Sequence, residues 1–545
     1  MTTKQQNIVE NIPMETTVAV IGGGYTGLAA AVALANNGYP VVLAAQENED
    51  AWRGVSPKEM NVLKSFQQQA ADHPSIEVLP KAALTQAAGI PGDFSLTFMS
   101  EDQYIEKKAG AVVVATGLSS SPMTSRYGLT PSAGVVSLSE MEALLASENG
   151  QKEIKNNKKT VAFLMGFAHE GNPLLMQRVL ESVQKIVDMD ECTAYVYVNN
   201  LKVAEDGLER LYKQGRDNGA IYFKLQVAPA VVQNNGELRI TFYDPVIRND
   251  IELSPDMLVV EESLIADQQN ATLAEILRID MGPAGFLQKE NVHRLPVGTN
   301  REGIFVVGGS RDVQNTAKSL ADVDNMLLRV KQLIGGGTKT VTTKAVVDRE
   351  KCTICLTCYR CCPHGAIYWD DKAVISPAAC QGCGICASEC PMDAIQLVDF
   401  TDGEMTTRIK EAAAVPEKTN APKIIAFCCQ NSAFEAGTAA QLFHYDLPAG
   451  LQIIKIPCAG KVDINYILNA LVEGADGVIV MACHTGNCKS ESGNTYAKWR
   501  VNDAYRKLEQ IGIPKDRLEF ATLAANMSSD FARIVIDMEN RIRQK

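Results

Sequence analysis

Short, largely apolar runs of four to six residues recur along the chain, and each is followed within two residues by glycine or cysteine. Val18 to Ile21 leads into Gly22-Gly23-Gly24-Tyr25-Thr26-Gly27, and Ala111 to Ala115 into Thr116-Gly117. Val161 to Met165 leads into Gly166-Phe167-Ala168-His169-Glu170-Gly171, and Gly303 to Val307 into Gly308-Gly309. Toward the far end, Ile424 to Phe427 runs into Cys428-Cys429, Ile453 to Ile456 toward Cys458, and Val478 to Ala482 into Cys483. Apolar runs this short, bounded by turn residues, predict buried strands. A small-residue helical stretch, Leu28 to Asn36, separates the first from a second strand at Val41 to Ala44. Strands alternating with helices predict parallel sheets of the α/β class. No run approaches the ~18–20 apolar residues that span a bilayer. The polar start MTTKQQNIVENIPMETT lacks the apolar core of a signal peptide, so a soluble, cytoplasmic chain is expected.

A length of 545 residues exceeds one hydrophobic core and predicts three or four domains. With 46% hydrophobic and 21% charged residues the composition is that of a globular protein, which excludes a disordered or fibrous chain. The net charge of −12 argues against nucleic acid, and against an anionic membrane surface, as direct partners. Cysteine usage changes the picture more. Of 15 cysteines only Cys192 precedes residue 352, and the rest lie between Cys352 and Cys488. Such clustering without an export signal points to metal ligation rather than disulfides.

Cys352, Cys355, Cys358 and Cys362, followed by Pro363, fit C-x2-C-x2-C-x3-C-P, and Cys380, Cys383, Cys386, Cys390 and Pro391 repeat it 28 residues later. The repeat extends to Ala366-Ile367 and Ala394-Ile395. Two-residue spacers aim three thiolates at one cubane, and the fourth cysteine of each run reaches the other cluster. The expected sets are Cys352, Cys355, Cys358 and Cys390 for one [4Fe–4S] cluster, and Cys380, Cys383, Cys386 and Cys362 for the second. A pair of zinc knuckles is the alternative, although zinc prefers a different ligand rhythm. Cys361 is left over as a small buried neighbour.

The first glycine loop is a G-x-G-x-x-G between strand and helix, the context of a dinucleotide site. Gly22 makes the turn, Gly24 lets a pyrophosphate approach, and Gly27 packs helix on strand. The acid expected near position 45 is missing; Ala45 and Gln46 stand there, with Glu47 just beyond as the candidate ribose partner. Strand ends at Thr116, Gly117 and at Gly308, Gly309 are similar to those of two-dinucleotide-binding flavoproteins, which implies FAD in this fold. The loop after Val161 to Met165 is not G-x-G-x-x-G, and this half has no cysteine pair. A disulfide reductase and direct NAD(P)H oxidation are therefore not expected.

If the three C-terminal strands are parallel, Cys428, Cys429, Cys458, Cys483 and Cys488 collect at the carboxyl edge of one sheet, where open α/β domains bind ligands. Four of the five could hold a [2Fe–2S] cluster; a zinc site or buried core cysteines are the alternatives. His484 is expected to be a hydrogen-bonding neighbour. His73, His169, His293, His364 and His444 are scattered, as solvated surface residues would be.

In this order of parts the chain resembles the flavoprotein (A-type) subunit of heterodisulfide reductase fused to the delta subunit of F420-non-reducing hydrogenase. The B-type subunit of quinone-interacting membrane-bound oxidoreductase complexes shares that layout. The carriers are the two cysteine runs, Gly171-Asn172-Pro173, Cys458-Ala459-Gly460-Lys461-Val462-Asp463, Gly474-Ala475-Asp476-Gly477 and Cys483-His484-Thr485-Gly486-Asn487-Cys488. Two departures stand out. Leu174-Leu175-Met176-Gln177 replaces a cysteine group, so extra clusters in the flavin half are absent. Asn431-Ser432-Ala433 replaces a further cysteine, leaving Cys428 and Cys429 one ligand to supply between them.

The resemblance implies a multidomain α/β and α+β chain. Its parts would be an FAD region over 1–334 with an insertion near 155–290, a ferredoxin domain over 345–400, a polar linker over 401–422, and a [2Fe–2S] domain over 423–545. It implies FAD, two [4Fe–4S] clusters, a [2Fe–2S] site and no catalytic side chain. The implied partners are heterodisulfide-reductase-like or quinone-interacting subunits, one of them membrane-bound and quinone-reactive, which would place the chain at the inner membrane only peripherally. The competing readings are a self-contained FAD-dependent NAD(P)H or ferredoxin oxidoreductase, and an assembly module whose flavin fold is empty.

Overall fold

The structure, a computed structural model, describes residues 9–45, 57–234, 237–244, 247–288, 291–414 and 421–544. Val18–Ile21, buried throughout, lies at the centre of a parallel five-stranded sheet. Val41–Ala45 and Ala111–Val114 flank it, with Ile76–Pro80 and Ile304–Val306 at the edges. Helices Tyr25–Asn36 and Thr316–Ile334 cover one face. An antiparallel three-stranded sheet within 83–109 and helix Gln269–Leu277 cover the other. Burial on both faces is why these strands read as unbroken apolar runs.

The chain leaves this domain through Leu118–Pro122 and returns through Glu262–Ala266, two strands paired antiparallel. Between them Val135–Ser137, Met257–Val260, Thr160–Met165, Thr193–Val198 and Ile221–Lys224 form a second parallel sheet. The insertion thus lies within about 118–266, not 155–290. Its first strand is three residues long, too short to show a period, and residues 269–277 already belong to the flavin half.

The ferredoxin segment is a doubled unit. Ala345–Val347 pairs with Ile395–Leu397, and Ile367–Trp369 with Ala373–Ile375, both antiparallel. The stretch 401–422 is not a plain linker. Thr401 and Glu404 form a capping box, and helix Asp402–Ala413 buries Met405, Ile409 and Ala413, spaced four apart. That signature is present in the sequence but masked by the polar residues around it.

The C-terminal sheet is parallel, in the order Leu451–Ile456, Ile424–Cys429, Gly477–Ala482, Leu518–Thr522. It packs directly on the ferredoxin segment. Arg500, almost fully buried, donates to the carbonyls of Gly460 (2.7 Å) and Val462 (2.9 Å) and to Glu389 of the ferredoxin segment (2.6 Å). Lys461, 1% exposed, donates to Asp402 at 2.9 Å and contacts the Tyr466 hydroxyl. The flavin half joins through Asn300, which donates to Pro363 O at 2.8 Å, and through Arg278, 4.2 Å over the Tyr359 ring.

Truncating Arg500 leaves two buried carbonyls and Glu389 without their donor. Arg500→Ala should cost about 3 kcal/mol in chemical unfolding. Arg506→Ala, which removes only an exposed pair with Asp503, should change stability by less than about 0.5 kcal/mol.

Candidate redox centres

The two cysteine runs fold as copies. Ile354 and Leu356 in the first, and Gly382 and Gly384 in the second, all take the left-handed conformation, φ 57°, 57°, 68° and 79°. It costs a non-glycine residue about 1–2 kcal/mol, so the first loop holds strain that the second avoids. Ala366 N–H donates to Cys362 Sγ and Ala394 N–H to Cys390 Sγ, each at 3.4 Å. Lys372 Nζ donates to Cys352 O and Lys344 Nζ to Cys380 O, each at 2.8 Å. Each loop therefore has an N–H on its last sulfur and an ammonium on the carbonyl of its first cysteine.

Cys352, Cys355, Cys358 and Cys390 line one small cavity together with Val347, Leu356 and Ile395. Cys386 lies within electrostatic reach of Cys383, Cys362, Cys380 and Cys361. Cys390 of the second run thus lies beside Cys352, Cys355 and Cys358 of the first. Burial pushes the Cys358 thiol up to about 11, and Cys383 and Cys386 further. Cys355 is exposed, and hydrogen bonds from the Thr357 backbone and hydroxyl hold it below the usual thiol range. Cys361 is buried and donates to Cys358 O. His364 is a correction: it is buried rather than solvated, its Nδ1 3.2 Å from Asn300 O, and burial lowers it to about 4.

The C-terminal thiols divide by strand alternation, because the strand Ile424–Cys429 runs through the cysteine pair instead of stopping before it. Cys428 faces Ile424, Ala426 and Ala433 on one side of the sheet. Cys429 faces Cys458, Cys483 and Cys488 on the other. Cys429 Sγ lies 3.7 Å from Cys483 Sγ. Cys458 contacts Cys429 and Cys488, and Cys488 contacts Cys483, which closes a ring of four. Hydrogen bonds from Cys429 and Cys488 pull Cys483 down, while Cys458 is pushed up. Asn431, standing where a further cysteine was expected, donates to Pro457 O (3.2 Å) and reaches Cys429 Sγ (3.9 Å). His484 contacts Thr522 Oγ1 and Met527 Sδ. Among the described residues no group of three or more His, Cys, Asp or Glu side chains is arranged to hold a single metal ion.

The ring sits close to the second cysteine loop. A side chain at Gly384 would strike Lys461 at 2.9 Å, and one at Gly460 would strike Ile385 at 2.6 Å. The loop between Cys383 and Cys386 therefore packs tightly on the turn after Cys458, the Lys461 side chain against Gly384 and the Ile385 side chain against Gly460. From the flavin half, Asn291 donates to Cys488 O at 2.8 Å and Arg294 to Glu491 at 2.6 Å.

The glycine loop of the flavin half is open. Gly24 caps helix Tyr25–Asn36 with no side-chain hydrogen bond, and nothing lies within 4 Å of where its Cβ would be. Gly27 packs so closely that a Cβ would meet Gly22 O at 1.9 Å. Gly308 abuts Thr26 and Gly309 abuts Gly117, so the predicted Gly22, Gly24, Gly27, Thr116, Gly117, Gly308 and Gly309 share one crest of the sheet. Glu47 lies outside the described residues. The Thr116 hydroxyl donates to Asn270 Oδ1 (2.7 Å). Sequence reading missed Asp322, buried on the helix face, which accepts from Gly308 N–H (3.1 Å), Arg311 (2.6 Å) and Gln314 (2.6 Å). An acid on the buried stripe Ser319-Asp322-Val323-Met326 was its signal.

The corresponding loop of the insertion is closed. Gly166, Phe167 and Ala168 all donate their N–H groups to Glu261, whose side chain is 0% exposed. His169, expected at the surface, is only partly exposed, with Nδ1 3.2 Å from the same carboxylate.

Residues 2–154 match the pyridine nucleotide-disulphide oxidoreductase family, residues 373–396 a 4Fe-4S binding domain, and residues 424–544 the methyl-viologen-reducing hydrogenase delta subunit. The chain is 23% identical over 469 residues to the A-type subunit of the ferredoxin:CoB-CoM heterodisulfide reductase of Methanosarcina mazei, a match covering 83% of this chain and 59% of that protein. It is 37% identical over 123 residues to the D-type iron-sulfur subunit of the vhu F420-non-reducing hydrogenase of Methanocaldococcus jannaschii, covering 23% of this chain and 92% of the relative. Thioredoxin reductase of T. acidophilum superposes with a TM-score of 0.39 at 14% identity over 58% of this chain and 98% of that one. Fold and cysteine sites thus define a flavoprotein-type oxidoreductase bearing iron–sulfur motifs. Its C-terminal domain belongs to the methyl-viologen-reducing hydrogenase delta-subunit family, joined here to a flavoprotein like the A-type subunit of heterodisulfide reductase. The chain spans about three fifths of the length of the heterodisulfide reductase subunits it matches.

Gly24→Ala should leave the flavin half folded, since its φ of −77° suits any residue and its surroundings are empty. Gly27→Ala should destabilise it by about 1–3 kcal/mol, because the methyl group meets backbone that cannot yield. Thermal unfolding with limited proteolysis compares the two.

Proposed function

We propose that this chain is an electron-transfer subunit of a heterodisulfide-reductase-like or quinone-interacting oxidoreductase complex. The reading rests above all on the direct packing of the Cys383–Cys386 loop against the Cys458–Lys461 loop, which brings two cysteine sites into one continuous path. Cys352, Cys355, Cys358 and Cys390 would hold one [4Fe–4S] cluster, and Cys362, Cys380, Cys383 and Cys386 the second. Cys429, Cys458, Cys483 and Cys488 would hold a [2Fe–2S] cluster. Cys428, a candidate on sequence grounds, is set aside because it faces the opposite side of the sheet. FAD, when bound on the open loop at Gly22, Gly24 and Gly27, exchanges one or two electrons and so joins a two-electron partner to one-electron carriers.

The protein's own residues position and tune this path. The Ala366 and Ala394 N–H groups and the two lysines stabilise negative charge at the cysteine loops, which favours the reduced state. Lys461 and Arg500 fix the spacing between second and third sites. The exposed Cys355 loop is the natural face for exchange with a partner, while the second loop is enclosed. Among the described residues no helix is long and apolar enough to cross a membrane, so a quinone-reactive step would fall to a membrane-bound partner. The closed loop in the insertion counts against the self-contained NAD(P)H enzyme.

Cys429→Ser should abolish the C-terminal cluster, and Cys428→Ser should keep it, as counted by iron and acid-labile sulfide and by electron paramagnetic resonance of the reduced protein. Loss of the cluster in both, or in neither, would refute the ligand set. Flavin released on denaturation should approach one equivalent, and fall by about ten-fold or more in Gly24→Ala. Rapid NAD(P)H oxidation with a simple dye by the isolated chain would overturn the relay reading.

A further inference from the structure

The insertion carries what would be an anion cradle, and the protein fills it with its own carboxylate. Glu261 follows the strand Met257–Val260, next to Thr160–Met165 in the sheet. Its Oε2 accepts from Gly166 N–H at 2.7 Å, and its Oε1 from Phe167 N–H at 3.2 Å and Ala168 N–H at 2.9 Å. The Tyr127 hydroxyl donates to Oε1 as well. Successive backbone N–H groups converging at the carboxyl end of a parallel strand are how such loops hold phosphate. Buried N–H groups need an acceptor, and a buried carboxylate needs donors, so each satisfies the other.

The helix behind the loop is closed independently. Asn172 caps helix Pro173–Val187 by accepting from Leu175 N–H at 2.9 Å, and Pro173 at its first position has no N–H to give. Helix Tyr25–Asn36 has neither device. Two loops at equivalent strand ends thus differ: one has open space at Gly24 and no side-chain cap on its helix, and the other has its donors consumed. Glu261 is also fixed by its backbone: its N–H donates to Leu164 O (3.1 Å) and its O accepts from Met123 N–H (3.0 Å), on the segment entering the insertion.

We infer that Glu261 is a built-in occupant of a phosphate-type cradle, and the residue that excludes a nucleotide pyrophosphate from the insertion. This deepens the reading of the chain as a relay without its own NAD(P)H site. In place of a ligand, Glu261 ties the loop to the connecting segment at Met123 and Tyr127, so the insertion serves as a fixed scaffold.

Hydrogen exchange on the flavin- and cluster-loaded chain tests this without turnover. In Glu261→Ala the amides of Gly166, Phe167 and Ala168 should exchange about ten-fold faster or more, and inorganic phosphate, pyrophosphate or ADP should restore their protection. The same anions should leave the wild-type amides unchanged. Unaltered protection in the variant, a loss that none of the three anions reverses, or a wild-type loop that responds to pyrophosphate would each overturn the inference. Should the alanine variant not fold, Glu261→Ser vacates the cradle while leaving a short polar side chain at the strand end, and is judged by the same outcomes. Rapid NADH oxidation by the wild type would defeat the relay reading while leaving the exchange result to stand or fall on its own.

Discussion

Close packing between the second cysteine loop and the loop after Cys458, with Lys461 seated on Gly384 and Ile385 on Gly460, is the contact on which the architecture turns. It exists because Gly384 and Gly460 have no side chains to hold the two surfaces apart, and because Lys461 and Arg500 lock them there. Burying two cations at a domain seam is expensive unless each is paired and hydrogen-bonded. Here Asp402 and Glu389, one from a helix of the expected linker and one from the ferredoxin segment, supply the counter-charges. The helix Asp402–Ala413 is therefore part of the seam, and the two cysteine-bearing domains behave as one body.

The flavin half makes the complementary point about donors. The same strand–loop–helix element occurs twice, once with open space at Gly24 and no side-chain cap on its helix, and once with its loop amides on Glu261 and its helix start closed by Asn172 and Pro173. A helix N-terminus and a loop of N–H groups attract whatever anion is nearest. Evolving a carboxylate at the adjacent strand end is a local change that decides whether that anion comes from solvent or from the protein. Burial and the Glu261 charge push the Tyr127 hydroxyl up, keeping it a donor across ordinary pH.

Much of this is legible in the sequence. Eight of the nine cysteines of the ferredoxin segment fall in two runs whose spacing points to iron–sulfur chemistry, because cluster geometry restricts spacing within a single loop. Gly22, Gly24 and Gly27 announce a phosphate approach for the same local reason. The parts that resist reading are those whose meaning depends on a distant neighbour. The helix over the expected linker is obscured by its polar face, and the insertion begins at a three-residue strand. His364 stands isolated in the sequence, although Asn300 and the ferredoxin loop bury it.

The C-terminal pair shows where the division falls. Sequence alone determined that cysteines would gather at the carboxyl edge of a small parallel sheet, since short apolar runs ending in cysteine permit little else. It could not say which of Cys428 and Cys429 joins the ring, because that depends on how far the strand continues before it turns. Only the tertiary structure, by carrying the strand through both residues and placing Cys458, Cys483 and Cys488 on one face, made the choice. Glu261 belongs to the same category: ninety-odd residues separate it from the loop it fills, and only the parallel pairing of their strands brings carboxylate and amides together.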